Sequence, residues 1–191
     1  TQKGKEVFEL IKSLGGIAIL TDPNLQSGTD RICSALDNYN ADNKFDCIIN
    51  LQGDMPLIKP EQIKKVIEPI KNNYEIGTLA TNLKEHERIN PNVTKVDIIW
   101  KDKNIGKAKE FFRTKSYINN NSLHHVGIYS YTKKSLKNFV KLPRSKNETL
   151  LKLEQYRAMD AGINIGVFFE KDIPPSIDTK EDLITVESII R

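Results

Sequence analysis

Asn50-Leu51-Gln52-Gly53-Asp54-Met55-Pro56-Leu57-Ile58 is the stretch on which the reading of this chain turns. An apolar run over 47–51 leads into it and breaks on a glycine, an acid and a proline. Such a run reads as a buried strand of a parallel sheet, and the break delivers the Asp54 carboxylate to the strand's carboxyl end, where open α/β sheets bind their ligands. A carboxylate there can hold a divalent cation against phosphate oxygens, because Mg2+ prefers hard oxygen ligands and completes its octahedron with substrate and water. An Asp flanked by Gly and Pro is equally what an ordinary turn contains, so these residues alone leave both readings open.

Working outward, Pro60 suits the first turn of a helix whose Ile63, Val66, Ile67 and Ile70 form one stripe. Upstream, Ile32, Ala35, Leu36 and Tyr39 line one face of another helix, preceded by Asp22-Pro23-Asn24 turn material and a short apolar strand at 17–20. Val7, Leu10, Ile11 and Leu14 predict an opening helix that Gly15-Gly16 stops. Strand-like segments recur at 76–83, 93–100, 125–131 and 163–169. Strands separated by helical stripes predict an α/β fold: a mostly parallel sheet with helices on both faces. The more polar stretch 82–122 breaks this rhythm and reads as an insertion near the mouth of a site or a subunit contact, with Asn119-Asn120-Asn121 as a hairpin tip. A βα fold opens on a strand, whereas the first recognisable element here is a helix. The expectation is that the preceding strand, and a strand–loop–helix unit before it, lie outside this sequence.

At 191 residues the chain can bury one sizeable core, which predicts a single domain across 1–191. Its net charge of +4 is a mild basic excess, and no Lys/Arg run is interleaved with aromatics as a nucleic-acid groove requires. That balance suits a small anionic substrate and no nucleic acid. Cys33 and Cys47 sit among apolar residues and read as core thiols in a reducing compartment. With neither a membrane-length apolar run nor a signal peptide in view, the expectation is a cytoplasmic protein without membrane insertion.

Gln26-Ser27-Gly28-Thr29-Asp30-Arg31 is a second candidate site. A glycine between hydroxyl residues at a helix start can present N–H groups to a base or phosphate, and Ser27 or Thr29 can equally be a plain N-cap. Arg31 in the first turn opposes the helix dipole, which predicts an anion or ligand edge for it to meet. Glu154-Gln155 reads as the polar face of a helix that also carries Leu150, Leu153 and Arg157. Asp178-Thr179-Lys180-Glu181 matches a capping box, although an Asp held by Ile173-Pro174-Pro175-Ser176 could also serve as a second carboxylate beside Asp54. His124-His125 open the alternating strand Val126-Gly127-Ile128-Tyr129-Ser130-Tyr131, where a histidine can bond a sugar hydroxyl or carboxylate or be purely structural.

Taken in order, Gln26 to Arg31, Gln52-Gly53-Asp54-x-Pro56, Pro91-Asn92-x-x-Lys95-Val96, His125-Val126-Gly127-Ile128-Tyr129, Leu153-Glu154-Gln155-x-Arg157 and Asp178-Thr179-x-Glu181-Asp182-Leu183 resemble the 3-deoxy-manno-octulosonate (Kdo) cytidylyltransferases, the CMP-Kdo synthetases. The resemblance runs from about Gly15 to the end. It implies a Rossmann-like nucleotide-sugar transferase fold and attack of the Kdo anomeric hydroxyl on the α-phosphorus of CTP, releasing pyrophosphate and yielding the activated sugar used for lipopolysaccharide. It further implies that Asp54 and Asp178 bind Mg2+, and that Ser27, Gly28, Arg31 and Gln52 form the cytidine side of the pocket. His125, Tyr129, Glu154 and Gln155 would face Kdo, Arg113 would bring a positive charge near the Kdo carboxylate, and the chain would pair as a homodimer through a subregion at about 92–131.

Three departures accompany the match. The family's Gly-, Arg- and Lys-containing phosphate loop has no counterpart in this sequence, so the expectation is an N-terminally truncated domain that cannot turn over CTP without it. Met55 stands where the family usually has Glu, and Phe111-Phe112-Arg113-Thr114-Lys115-Ser116 departs from Phe-Ser-Arg-x-Pro. Alternatives are a degenerate, non-catalytic sugar- or nucleotide-binding relative, and a cytidylyltransferase for sialic acid or an amino-substituted Kdo.

Overall fold

The structure, a computed structural model, describes residues 2–39, 45–115 and 118–190. β2 (Ile76–Thr81) is buried at every position, as a strand covered on both faces must be. It lies inside a six-stranded sheet of order β1 (Cys47–Asn50), β5 (Leu123–Thr132), β2, β6 (Ile165–Phe169), β4 (Ile105–Phe112), β3 (Lys95–Trp100), with β5 also touching β3. The α/β class therefore stands. Strand direction also follows the expected pattern: β1, β2, β3 and β6 all run one way. Hydrogen-bonded pairing does not, since β2–β6 is parallel and the other pairs are antiparallel. The reason is that β4 and β5 run the opposite way and are interleaved among the rest.

Helices cover both faces. On one, α2 (Gly28–Asn38), α6 (Lys133–Phe139) and α8 (Tyr156–Asp160) bury Cys33, Leu136, Phe139 and Ala158 against Tyr131, Ile165 and Val167. On the other, Met55 and Val66 pack on Leu79, Ile128 and Phe168. The stripe from Ile63 to Ile70 is split into α3 (Pro60–Lys65) and α4 (Glu68–Lys71). Pro69 causes the break, because its ring carries no N–H for Lys65 and clashes with that carbonyl. The opening helix α1 (Gln2–Ser13) forms as the periodicity predicts and stops at Gly15, whose φ of +78° is the left-handed turn a glycine supplies. Its Val7, Leu10 and Leu14 nevertheless remain exposed. The segment 17–20 is not a strand: it pairs with no described strand, so Ile17 and Leu20 stay in the open.

The stretch read as an insertion is built into the sheet. β3 and β4 come from it, and Phe111 and Phe112 are core residues. Ser122 N–H closes a turn onto Asn119 O at 3.0 Å, but β4 and β5 do not pair, so this turn is not the tip of a hairpin between them. Ser116, in the departing Phe111-to-Ser116 segment, lies outside the described residues. Cys33 and Cys47 are both free thiols.

α4 can approach the sheet because Gly77 and Gly166 are register partners on β2 and β6. A Cβ at Gly166 would lie 2.6 Å from Pro69 Cβ and 2.5 Å from the Tyr74 ring. Gly166→Ala is therefore expected to cost about 1–3 kcal/mol by overpacking, read as a lower urea midpoint. Gly127→Ala, with nothing within 4 Å of the added methyl, should stay within about 0.5 kcal/mol.

Candidate active site

β1 ends at Asn50 and the chain turns over Gly53-Asp54. Asp54 Oδ1 is buried and accepts no hydrogen bond, an expensive state for a carboxylate oxygen unless a cation or ligand meets it. Burial raises the Asp54 carboxyl above its ordinary range; its own backbone N–H opposes that, and the charge of Asp178 adds to it. Asp178 is brought close by the preceding residue, since Ile177 N–H donates to Asp54 O at 2.8 Å.

The cap of α9 (Lys180–Ile190) corrects the expected frame by one residue. Thr179 Oγ1 accepts from Asp182 N–H at 3.2 Å, while the Asp182 carboxylate accepts from the N–H groups of Thr179 (2.8 Å) and Asp178 (3.1 Å). Asp178 thus keeps its carboxylate out of the cap; its side-chain bond is a 3.3 Å contact from Ser176 Oγ. Among the described residues no group of three or more His, Cys, Asp or Glu gathers to hold a metal, so a cation here would take oxygens from substrate and water as well.

Ser27 is the N-cap of α2, accepting from Asp30 N–H at 3.1 Å and donating to Asp30 Oδ2 at 2.8 Å. Next to it, Gly28 faces the Gln52 amide, with a notional Cβ 3.7 Å from Nε2, and Gln52 Nε2 donates to Asn50 Oδ1 at 3.2 Å. Arg31 is met by oxygens of the loop before α2. Its guanidinium donates to Thr21 Oγ1 and to the carbonyls of Asp22, Pro23 and Leu25 at 3.0–3.2 Å, so those loop oxygens offset its unfavourable place in the helix dipole. Arg113 is anchored in the same way: its Nη1 donates to the carbonyls of Pro91 (3.2 Å) and Asn92 (3.0 Å).

A single cleft gathers Gln52, Tyr129, Glu154 and Gln155 with Thr29, Asn50, Tyr131 and Phe139. Glu154 and Gln155 are not on a helix. α7 (Lys146–Leu151) ends at Lys152, left-handed at φ 54°, and the two residues occupy the tight connection to α8. That turn sinks them: Gln155 is buried, and Glu154 Oε1 is buried without a partner. His125 sits behind Tyr129, ring centroids 5.4 Å apart, and burial lowers its pKa to about 3, so it is neutral. Burial likewise holds the Tyr129 phenol well above its ordinary range, leaving it a neutral donor.

Sequence reading missed six of the lining residues, among them the apolar Ile76 and Ile165. Tyr131 shares the face of Tyr129 two positions on, and Thr29 beside it opposes the rise that burial imposes on its phenol. Thr29 and Asn50 lay inside stretches already quoted, whereas Phe139 gives no sequence signal. Arg157, buried, bonds Glu148 through Nη2 (2.6 Å) and Nε (3.0 Å) and lies 3.7 Å from Asp30, joining α8, α7 and α2 around the cleft.

A family model described as cytidylyltransferase matches residues 4–171. The 3-deoxy-manno-octulosonate cytidylyltransferase of Paramagnetospirillum magneticum is 35% identical over 97% of this chain and 77% of its own length. That of Thermodesulfovibrio yellowstonii is 42% identical over 96% of this chain and 77% of its own. The solved structure of CMP:2-keto-3-deoxy-manno-octonic acid synthetase complexed with CTP matches at a TM-score of 0.84 and 32% identity, covering 97% of this chain and 76% of that one. Likeness at this identity and coverage reaches past the fold to the family, and the chain belongs to the 3-deoxy-manno-octulosonate cytidylyltransferases.

Proposed function

We propose that this protein transfers CMP from CTP to 3-deoxy-D-manno-octulosonate, releasing pyrophosphate and supplying the activated sugar for lipopolysaccharide. The observation that carries the reading is the carboxylate pair of Asp178 and Asp54, the latter two residues beyond Gln52 of the cleft, with Asp54 Oδ1 buried and bare. Two like charges held together, one of them desolvated, are a standing cost that a divalent cation removes. Asp54 and Asp178 fit Mg2+ and would hold it; when bound, it supplies neutralisation of the charge on the α-phosphate and on the attacking sugar oxygen.

The remaining work falls to the chain's own groups. Ser27, Gly28 and Gln52 form an edge of small polar groups against which the cytidine sits. Tyr129, Glu154 and Gln155 take the sugar, and the bare Glu154 Oε1 accepts one of its hydroxyls. Free thiols fit a cytoplasmic location, and among the described residues no helix is long and apolar enough to cross a membrane. Ile99 and Trp100, exposed at the end of the outermost strand β3, are the surface through which we infer a homodimer.

The reading is tested by pyrophosphate release from CTP with Kdo, sialic acid or an amino-substituted Kdo on the full-length protein, with Kdo expected to be preferred. Asp54→Asn should lower turnover at least about a hundredfold without unfolding the protein. The pH dependence of stability carries the sign. A carboxyl whose pKa is raised on folding binds its proton more tightly in the native state, so wild-type stability falls as pH rises from the ordinary carboxylate range through the raised value. The Asn variant should lack that fall, and Mg2+ should stabilise only the wild type. Glu154→Ala should raise the KM for Kdo about tenfold and leave that for CTP within about twofold; equal effects would mark a structural role. Trp100→Asp should turn a dimer into a monomer in light scattering at micromolar concentration.

A further inference from the structure

β2 and β5 slip past each other in mid-strand: Thr78 is paired with Tyr129, but the next residue, Leu79, is paired with Val126. The irregularity on β5 displaces its carbonyls from the regular ladder, and the Thr78 hydroxyl fills the gap. Thr78 Oγ1 lies 2.8 Å from Ile128 O and 3.2 Å from Val126 O, and its third neighbour is His125 Nε2 at 3.0 Å.

Thr78 is fully buried, and its hydroxyl has one proton to direct among these three neighbours. A carbonyl only accepts. If the hydroxyl proton pointed at His125, both carbonyl oxygens would face bare hydroxyl lone pairs at hydrogen-bonding distance. The proton therefore lies toward the carbonyls, a hydroxyl lone pair faces the imidazole, and Nε2 must be the nitrogen that carries hydrogen. The ring is neutral, held edge-on to Phe111 at 4.9 Å with burial disfavouring its charged form. A neutral imidazole protonated at Nε2 leaves Nδ1 as its acceptor nitrogen, and the contact with Thr78 is made at Nε2.

We propose that Thr78 is a positioning residue that locks His125 in the Nε2-protonated tautomer, so that His125 Nδ1 is purely an acceptor and recognises a hydroxyl of the sugar, not its carboxylate. This rests on the reading of His125 as part of the acidic-sugar site. The consequence is specific: an acceptor that can neither donate nor become cationic repels a carboxylate and rewards a hydroxyl. The sugar's charge must then be met elsewhere in the site.

The test is nitrogen NMR of the full-length protein labelled with ¹⁵N-histidine. The chain has three histidines, so substituting His86 and His124 assigns the His125 signals. The wild type should show Nε2 protonated and Nδ1 bare, and adding Kdo should shift Nδ1 as an accepted hydrogen bond does. Thr78→Ser keeps the hydroxyl and should keep both signatures. Thr78→Val should release a mixture of tautomers and weaken Kdo binding about tenfold while CTP binding stays within about twofold. A wild-type protein protonated at Nδ1 overturns the proposal, as does bound Kdo that leaves Nδ1 unmoved. Should Thr78→Val fail to fold, the wild type and Thr78→Ser still decide. Absence of any Kdo binding to a wild type locked at Nε2 would defeat the acidic-sugar reading and leave the Thr78 lock standing.

Discussion

The cleft depends on a buried ion pair. Arg157 and Glu148 are each almost fully enclosed and meet through two bonds, with Asp30 3.7 Å away and the Phe139 ring 5.0 Å from the guanidinium carbon. Burial alone would raise the Glu148 carboxyl, but its bonds from Arg157 and from Ser145 N–H outweigh that and leave it below its ordinary range. Removing one partner of such a pair leaves a naked charge in the core and costs about 3–5 kcal/mol. The pair also has a geometric effect. It anchors the turn that carries Glu154 and Gln155 on α8, and through Asp30 it meets the N-terminus of α2 where Ser27 and Thr29 sit, so two walls of the cleft are referenced to one guanidinium.

Cations elsewhere in the fold follow the same rule of building the protein. Lys95 is wholly buried, with its ammonium on the carbonyls of Asn90 (2.6 Å) and Arg113 (2.7 Å), and Arg113 in turn holds the carbonyls of Pro91 and Asn92. Arg31 does this for the loop before α2. Each turns a polar loop into a fixed wall by satisfying carbonyls that no helix or strand reaches. The lining of the cleft is of a different kind: amides, hydroxyls, phenols and the Glu154 carboxylate, set beside the apolar Ile76, Phe139 and Ile165. Burial keeps the Tyr129 and Tyr131 phenols protonated.

How much of this was legible in the sequence depends on whether the signal was local. The turn at Gly53-Asp54, the Ser27 cap and the apolar stripes are encoded within a few residues and appear where the periodicity puts them. β4 was invisible because Lys107, Lys109 and Glu110 interrupt its apolar positions, and only its place between β6 and β3 explains why Ala108 and Phe111 are buried. Glu154-Gln155 was misplaced because Leu150 and Leu153 have helical spacing; the left-handed Lys152 breaks that register, and Leu150 ends up exposed. The capping frame at Thr179 was ambiguous by one residue, since Asp178 and Thr179 can both cap and both precede an acid three positions on. For Arg31 and Arg113 the sequence displays the charge but not the carbonyls that the fold brings to it.

Those cations bear on the division of labour in the site. Arg31, Lys95, Arg113 and Arg157 each donate to protein oxygens, which fixes them in place before a triphosphate arrives. The described carboxylates at Asp54 and Asp178 would only repel it. The arrangement becomes favourable for a polyanion when a divalent cation stands between, since its charge then offsets both the protein's acids and the substrate's oxygens. The bare Oδ1 of Asp54 is one of two buried polar side-chain atoms without a partner among the described residues, and its cost supports the proposed role with metal and nucleotide. Neutral donors and acceptors in the adjoining cleft suit the other requirement, which is to tell one polyhydroxy acid from another by the placement of its hydroxyls.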